Sequence, residues 1–275
     1  MCMAATKMQK EKTQARGPAR GSYGIDAPYL LPIPCALIAL NILSAVTSRT
    51  AWPLLPAVLI AACMACGLYA SRRGKFVVWA QLLDQLRLHG DEQVLDIGCG
   101  RGAVLILAAQ RLTTGCAVGV DLWRKGDQSG NAAAVTTRNA SVEGVADRVE
   151  LHTADMTALP FDDGQFDVVV SNVAVHNVKG HAARRKAIAE AVRVLRPMGR
   201  LLIADIFGTR QYEADLMALG MASITRRSLG WRLWWSGPWL ATHLVTATKP
   251  DLKNETKPPN EDRANRHQPL GFREP

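Results

Sequence analysis

Two long uncharged stretches lie near the start of the chain, and shorter apolar runs follow them at regular spacing. Residues 30–46 and 51–70 contain no charged side chain, and a short polar break around Arg49 separates them. About 20 apolar residues span the hydrocarbon core of a bilayer, so the second stretch is long enough and the first is somewhat short. The pattern predicts a hairpin of two transmembrane helices within residues 29–75. A soluble helical hairpin packed on the rest of the chain is the alternative.

The remainder of the chain alternates between two kinds of pattern. Residues 76–88 repeat apolar side chains at helical spacing, which predicts an amphipathic helix after the hairpin. Beyond it, short apolar runs alternate with helical patterns, a rhythm typical of a doubly wound α/β fold with a mainly parallel sheet. The predicted strands are 93–96, 117–121, 148–152, 166–171 and 200–205, and the predicted helices between them are 103–112, 129–143 and 182–195.

The first of these strands runs into a glycine-rich turn. Asp96 ends the strand, Gly98, Gly100 and Gly102 alternate with other residues, and a helical pattern starts at Ala103. Glycine tolerates positive φ and close backbone approach, and a helix N-terminus offers free N–H groups, so the turn predicts a nucleotide-like ligand. Two ligands fit, because Gly98, Gly100 and Ala103 also match the G-x-G-x-x-G/A dinucleotide pattern.

The charge of Asp96 distinguishes these two ligands. A dinucleotide would bring its negative pyrophosphate to this turn, where a carboxylate in a partly dry site repels it. The ammonium and sulfonium groups of S-adenosylmethionine would be attracted instead. The turn therefore favours S-adenosylmethionine over a nicotinamide cofactor.

The ends of the next strands also carry polar side chains. Asp121 ends the second strand and can accept both ribose hydroxyl protons, which suits any nucleoside ligand. Asp155 and Met156 follow the third strand, where an adenine amino group and ring face could be met, and Asn172 follows the fourth. Ligands of a doubly wound sheet lie outside the carboxyl ends of the strands, so we expect these residues to face the glycine turn.

Residues 93–249 resemble a class I S-adenosylmethionine-dependent methyltransferase. The resemblance rests on the order and spacing of the glycine turn, Asp121, Asp155-Met156, the strand that ends at Ser171-Asn172, and the turn at 196–200. It implies a Rossmann-like sheet of seven strands, closed by a helix at 211–219 and an antiparallel pair at 221–228 and 240–248. Met198 stands where the family usually has glycine, a difference that we expect to be harmless.

The resemblance also implies the cofactor and its site. S-adenosylmethionine is the expected cofactor, and no metal is expected. The residues expected to bind it are Asp96, Gly98, Gly100, Gly102, Asp121, Leu122, Asp155, Met156 and Asn172.

His176 and Asn172 are the candidate catalytic residues. Asn172 can hydrogen-bond the amino-acid end of the donor or the acceptor. His176 follows the same strand, and with a pKa near neutrality it can take a proton from an acceptor hydroxyl or thiol. The alternative is that His176 caps a helix or packs under the substrate, because methyl transfer is often catalysed mainly by alignment.

The net charge of +9 is concentrated at one end of the chain. Residues 1–75 hold nine lysines and arginines against two acidic residues, whereas residues 76–250 are nearly balanced and residues 251–275 are neutral. A basic excess beside apolar runs indicates a membrane surface and argues against nucleic acid as a partner. The distribution of basic residues predicts that both ends and the catalytic domain are cytoplasmic, with the short loop at Arg49 outside.

Two further composition features bear on function. Residues 226–239 hold four of the seven tryptophans among arginines, which suits a lipid headgroup region, with packing inside the domain as the alternative. The six cysteines show no disulfide framework, and Cys63-x-x-Cys66 lies in an apolar run, so it is interpreted as helix interior and not as a metal motif.

The sequence therefore predicts four segments and one activity. The segments are a disordered basic arm (1–28), the transmembrane hairpin (29–75), the methyltransferase domain (76–250) and a disordered tail (251–275). The expected activity is methyl transfer to a small or lipid-like hydrophobic acceptor with an O, S, N or activated C nucleophile. The alternatives are an NAD(P)-binding oxidoreductase and a non-catalytic membrane scaffold with the same fold.

Overall fold

The computed structural model of the protein describes residues 21–124 and 126–251. Its helices are α1 (Pro32–Ser48), α2 (Leu54–Tyr69), α3 (Lys75–Gln85), α4 (Ala103–Ala109), α5 (Ala133–Val142), α6 (His181–Arg193) and α7 (Thr209–Ala218). Its strands are β1 (Gln93–Ile97), β2 (Cys116–Asp121), β3 (Val149–Thr153), β4 (Phe166–Asn172), β5 (Leu195–Asp205), β6 (Ala222–Ser228) and β7 (His243–Thr248).

The strands form one seven-stranded sheet in the order β3-β2-β1-β4-β5-β7-β6. Strands β1 to β5 pair in parallel, and β7 pairs antiparallel with both β5 and β6. The chain order reverses between β1 and β4, which lie side by side, so a topological switch point opens at their carboxyl ends. The predicted doubly wound fold with its antiparallel closing pair is confirmed.

Helices cover both faces of the sheet. One face packs against α3, α4 and α5 through a core that includes Trp79, Leu105 and Ala140. The other packs against α6 and α7 through a core that includes Ile188 and Tyr212. The central strands are apolar along their length because both of their faces are buried.

The two N-terminal helices stand apart from this core. The structure holds two helical runs long and apolar enough to cross a membrane, Pro28–Ser48 and Leu54–Gln85, of 21 and 32 residues. The second run is continuous: a π-helical turn at Ala70–Gly74 joins α2 to α3, so one helix leads from the hairpin into the domain. The predicted boundary at residue 76 therefore falls inside a helix.

A segment just before the hairpin packs on the methyltransferase fold. We call residues 21–27 the N-terminal strap. Its backbone bonds the side chains of Glu143, Asn139 and Ser129, and the Tyr23 ring packs edge-on against Phe76 with centroids 4.8 Å apart. The prediction of a disordered arm is wrong for this part, because a buried aromatic ring and hydrogen bonds to α5 hold it. The rest of the arm and residues 252–275 lie outside the described residues.

The loop before α5 differs from its prediction for the same reason. The helix predicted to begin at residue 129 begins at Ala133. Ser129 is instead bonded to the strap in both directions, since its N–H donates to the Ile25 carbonyl and its hydroxyl accepts the Ile25 N–H.

Candidate functional site

The glycine turn connects β1 to α4 at the switch point. Gly98, Gly100 and Gly102 all have positive φ, at +76°, +51° and +83°. At Gly98 a Cβ would lie 2.3 Å from the Cβ of Ala174, in the loop after β4. Glycine is therefore required at this position both by backbone conformation and by the close approach of the facing loop.

A cavity of about 620 Å³ lies over this turn at the carboxyl ends of the strands. Its lining includes eight of the nine predicted cofactor-binding residues, namely Asp96, Gly98, Gly100, Asp121, Leu122, Asp155, Met156 and Asn172. Gly102 is not part of the lining, and a Cβ at this position would meet the side chains of Thr136 and Ile106.

Asp96 is the most unusual charge in the cavity wall. It is 1% exposed, and neither carboxylate oxygen has a hydrogen bond of normal geometry within the described residues. Burial raises the pKa of Asp96 to about 8, and the nearby charge of Asp121 adds to this, while the Leu105 N–H offsets only part of it. A buried carboxylate without a partner is costly, so Asp96 is suited to a ligand that brings a cation or a hydrogen-bond donor.

Asp121 is held in a different way. Its carboxylate accepts the Gly100 N–H at 2.8 Å, the Trp123 N–H, and the Asn131 amide at 3.3 Å. These donors fix the carboxylate at the end of β2, facing the cavity. Oδ1 accepts two of these bonds and Oδ2 accepts one, so Oδ2 keeps a lone pair that can accept a ligand hydroxyl.

Asn172 joins the end of β4 to the helix that leaves the hairpin. The Trp79 indole N–H donates to the Asn172 side-chain oxygen at 2.8 Å. This bond occupies one acceptor position of the amide and leaves its NH₂ group toward the cavity that Asn172 lines.

Asp155 and Met156 line the cavity beyond β3. The Asp155 carboxylate accepts the Thr157 N–H at 2.8 Å, and hydrogen bonds from Thr157 lower the pKa of Asp155. The group is therefore an ionised acceptor next to the Met156 side chain, which is what an adenine amino group and ring face require.

His176 lies beside the cavity and not in its lining. The ring Nδ1 of His176 is 2.6 Å from Asp205 Oδ1, and the backbone N–H of His176 donates to Asp205 Oδ2 at 3.0 Å. Asp205 is fully buried and ends β5. Because a carboxylate can only accept here, we assign the proton of a neutral His176 to Nδ1, which leaves Nε2 as an acceptor.

Several residues that line the cavity were not predicted, and three of them form one hydrogen-bonded group. Lys75, Asp26 and Gln128 come from α3, the strap and the loop after β2, three separate parts of the chain. No local pattern distinguishes Lys75 from the neighbouring Arg72 and Arg73, since all three are basic residues after an apolar run. Only the folded chain shows that Lys75 points inward.

These residues fit S-adenosylmethionine. The unpartnered Asp96 suits the ammonium group, Asp121 suits the ribose hydroxyls, and Asp155 with Met156 suits the adenine. No group of three or more His, Cys, Asp or Glu side chains that could hold a metal occurs in the described part of the chain.

Comparisons with known proteins agree with this assignment. Residues 95–203 match the family model described as a methyltransferase domain. The chain is 34% identical over 152 residues to methyltransferase GfsG of Streptomyces halstedii, covering 54% of this chain and 51% of that one. It is 30% identical over 129 residues to the ubiquinone/menaquinone biosynthesis C-methyltransferase UbiE of Roseobacter denitrificans, covering 46% and 48%.

A solved structure shows the same fold. The geranyl diphosphate methyltransferase in complex with SAM superposes with a TM-score of 0.52 at 20% identity, covering 66% of this chain and 87% of that one. The chain spans about half the length of the curated relatives named above. Residues 93–249 have the Rossmann-like fold of class I S-adenosylmethionine-dependent methyltransferases, and the family match over residues 95–203 and the cavity support the same class. They do not support the oxidoreductase alternative.

Proposed function

We propose that this protein is a membrane-anchored enzyme that transfers a methyl group from S-adenosylmethionine to a hydrophobic acceptor. The observation that carries the donor half is the buried, unpartnered Asp96 beside the glycine turn. When bound, S-adenosylmethionine supplies an electrophilic methyl group on a sulfonium.

The residues of the cavity bind and orient the donor. Asp96 attracts the ammonium group, and its own pKa falls as it does so because an opposite charge favours the ionised form. Asp121 accepts ribose hydroxyls, and Asn172, held by Trp79, orients the amino-acid end. The site accelerates the reaction by holding the methyl group of the donor in line with the nucleophilic atom of the acceptor.

His176 is proposed to take the proton of an acceptor hydroxyl or thiol. Asp205 holds its Nδ1 side, so Nε2 is the atom that receives the proton. Asp205 also accepts the Ile206 N–H and the Tyr212 hydroxyl, which keeps the buried carboxylate fixed. A test is the kcat of His176→Gln: it should fall by about 100-fold if His176 acts as the base, while an unchanged kcat would assign His176 a packing role.

The membrane anchor is supported by the surface of the hairpin. None of the residues of α1 is buried, and large apolar side chains are exposed along it and along α2. These include Ile33, Leu37, Leu40, Leu43, Val46, Leu55, Val58 and Leu59. An exposed apolar surface of this size needs a cover, and two helices of membrane-spanning length are best covered by lipid.

Aromatic and basic residues surround the point where α2 enters the domain. Trp231 stacks on Tyr69 with centroids 5.2 Å apart, and the Arg232 guanidinium lies 4.9 Å from the Trp231 ring. Trp231 and Trp239 are 54% and 73% exposed, which supports contact with lipid headgroups. Trp235 instead donates to Thr242 at 2.9 Å and packs within the domain, so it has a structural role.

A hydrophobic acceptor follows from the anchor, because a soluble substrate does not need an enzyme in the bilayer. The names of similar proteins support the same class: UbiE is named for ubiquinone and menaquinone biosynthesis, and the solved neighbour is named a geranyl diphosphate methyltransferase. Quinones and prenyl compounds are lipid-like molecules with an activated carbon.

The full chain in its native membranes is the sample that tests the proposal. Membranes are incubated with methyl-labelled S-adenosylmethionine, and label is separated into lipid, protein and RNA fractions. We expect label in the lipid fraction and none with the Asp96→Asn variant. Label confined to protein or RNA would overturn the acceptor class, and S-adenosylhomocysteine binding without any transfer would favour a scaffold.

Alkaline carbonate extraction tests the anchor separately. The full chain should remain in the membrane pellet, whereas release into the supernatant would favour a soluble hairpin. Protease added to the cytoplasmic side should reach the domain if the predicted orientation is right.

A further inference from the structure

Lys75 is a buried cation in the wall of the cavity. Its side chain is 2% exposed, and it lines the same cavity as Asp96 and the glycine turn. Buried lysines are rare and are normally paired. The structure gives Nζ one hydrogen-bond partner among the described residues, Asp26 Oδ2 at 2.8 Å. An ammonium group has three N–H donors, so two remain for a ligand.

Asp26, by contrast, has three of its four acceptor positions used by protein donors. Oδ2 accepts from Lys75 and from the Ser71 hydroxyl at 2.8 Å, and Oδ1 accepts from the Gln128 amide at 2.8 Å. The Ser71 hydroxyl also accepts the Asp26 N–H at 3.0 Å. Asp26 therefore fixes the lysine and is a poor site for a ligand ammonium, while Asp96 has no such partners.

The position of Lys75 places it at the glycine-turn end of the cavity. Gln128, which bonds Asp26, also accepts the backbone N–H of Arg101 at 2.9 Å, and Arg101 lies within the glycine turn, between Gly100 and Gly102. Trp79 follows Lys75 by one helical turn and bonds Asn172 at the end of β4. The lysine is thus on the side of Asp96 and Asn172, and not on the side of Asp155 and Met156.

We infer that Lys75 binds the carboxylate of the methionine end of the donor, and that Asp26 positions Lys75 for this contact. The inference rests on the proposed function, because it takes the ligand to be S-adenosylmethionine. The methionine end carries both an ammonium and a carboxylate. At that end the cavity offers the unpartnered carboxyl group of Asp96 and the ammonium group of Lys75, which has two N–H donors left. Charge-assisted hydrogen bonds of this kind are the strong ones in a partly dry site.

Among the residues that the structure describes, two other cations line the cavity, Arg124 and Lys179. Both side chains are exposed, so water screens them, and Arg124 follows β2, on the ribose side of the cavity. Neither is held by a network such as the one around Lys75, in which Ser71, Gln128 and the strap converge on Asp26. Lys75 is therefore the better carboxylate ligand.

The arrangement also links the anchor to the cofactor site. Asp26 lies just before the hairpin and Lys75 just after it, so the two ends of residues 28–74 meet in the cavity wall. A domain that began at residue 76, as the sequence predicted, would lack both residues.

The test compares two ligands that differ in the carboxylate alone. Calorimetry on the full chain in detergent micelles measures the Kd of S-adenosylhomocysteine and of its decarboxylated analogue, which keeps the ammonium. The wild type should prefer S-adenosylhomocysteine by about 10- to 100-fold, the range expected for a charged hydrogen-bonded contact. Lys75→Met should remove this preference, and Lys75→Arg should restore part of it.

The double variant Asp26→Asn/Lys75→Met separates binding from folding. This double variant leaves no unpaired charge in the cavity wall, so it should fold. It should also bind S-adenosylhomocysteine and the decarboxylated analogue equally well. A preference that persists within about threefold in both variants would overturn the inference. Lys179→Gln and Arg124→Gln are matched controls that should keep the wild-type preference, and loss of preference in one of these alone would move the carboxylate contact there.

The same data separate this inference from the proposed function. If the wild type binds neither ligand, the donor assignment fails. If it binds both equally well, the donor assignment stands and the carboxylate contact is wrong.

Discussion

Replacing Asp96 with asparagine should stabilise the ligand-free protein and abolish binding of the donor. The carboxylate is buried without a hydrogen bond of normal geometry among the described residues, and burial raises its pKa to about 8. In the unfolded chain the same group has its ordinary pKa of 3.8. The folded chain therefore binds a proton that the unfolded chain releases between these two values.

The size of the effect on the free energy of unfolding follows from this difference in proton binding. Because the folded pKa is the higher one, stability is lost progressively as pH rises from about 4 to about 8. At pH 7 the cost is about 4 kcal/mol, from 1.36 kcal/mol per pH unit above the unfolded pKa. Asparagine does not titrate, so Asp96→Asn should remove the cost and raise Tm by roughly 10 °C at pH 7.

Thermal unfolding of the full chain in detergent between pH 5 and 9 is the assay. The stability difference between Asp96→Asn and wild type should widen with pH and level off above pH 8. Saturating S-adenosylhomocysteine should raise the Tm of the wild type and leave that of the variant unchanged, since only binding to the folded state stabilises it.

Asp121→Asn is the matched control for this prediction. Asp121 accepts N–H donors from Gly100 and Trp123, so its loss should destabilise the protein. The reasoning is refuted if Asp96→Asn is no more stable than wild type at pH 8, or if the difference between them does not change with pH.

Three glycine-related substitutions test the backbone arguments. Gly98→Ala should abolish S-adenosylhomocysteine binding by calorimetry, because its Cβ would lie 2.3 Å from the loop after β4, whereas Gly126→Ala, with nothing within 4 Å, should bind normally. Gly74→Ala should lower Tm although alanine favours helices, because its Cβ would lie 1.8 Å from the Arg232 carbonyl; a raised Tm would contradict that packing. Met198→Gly should raise the free energy of unfolding, measured in urea, by about 1 kcal/mol, because Met198 has a φ of +64°. A lower free energy of unfolding would show that the methionine side chain is needed.

Met198 also shows where a prediction from the sequence needed refinement. The difference from the family's glycine was expected to be harmless, and the chain does make the turn. The residue nevertheless adopts the left-handed conformation that glycine occupies without cost, with its N–H bonded to the Lys249 carbonyl at 2.7 Å. The fold accommodates the strain, so only a stability measurement reveals it.

The donor site was largely predictable because it is built from local patterns. A strand that ends in Asp96, three alternating glycines and a helix specify the turn within ten residues. Parallel pairing then brings the ends of β1, β2 and β4 to one edge, so Asp121 and Asn172 follow from the same rule. Gly102 lies outside the cavity lining, and its contact with the cofactor stays a prediction, because spacing alone does not show which glycine faces the cavity.

The strap and Lys75 were not predictable, because their positions depend on contacts between distant residues. Asp26 and Lys75 are 49 residues apart with the hairpin between them, and Gln128 lies 102 residues after Asp26. Nothing in a run of basic residues after an apolar helix marks the one that turns inward. The π-helical turn between α2 and α3 sets this direction, and it has no sequence signal of its own.

The sequence by itself determined the βαβ order, the glycine turn and the two apolar stretches, because periodicity and local turn chemistry are properties of neighbouring residues. The tertiary structure decided which charges share the cavity. It buried Asp96 without a partner, paired Lys75 with Asp26, and set His176 against Asp205 outside the cavity lining. Burial and pairing depend on residues that are far apart in the chain, and they fix the charge states on which the proposed chemistry rests.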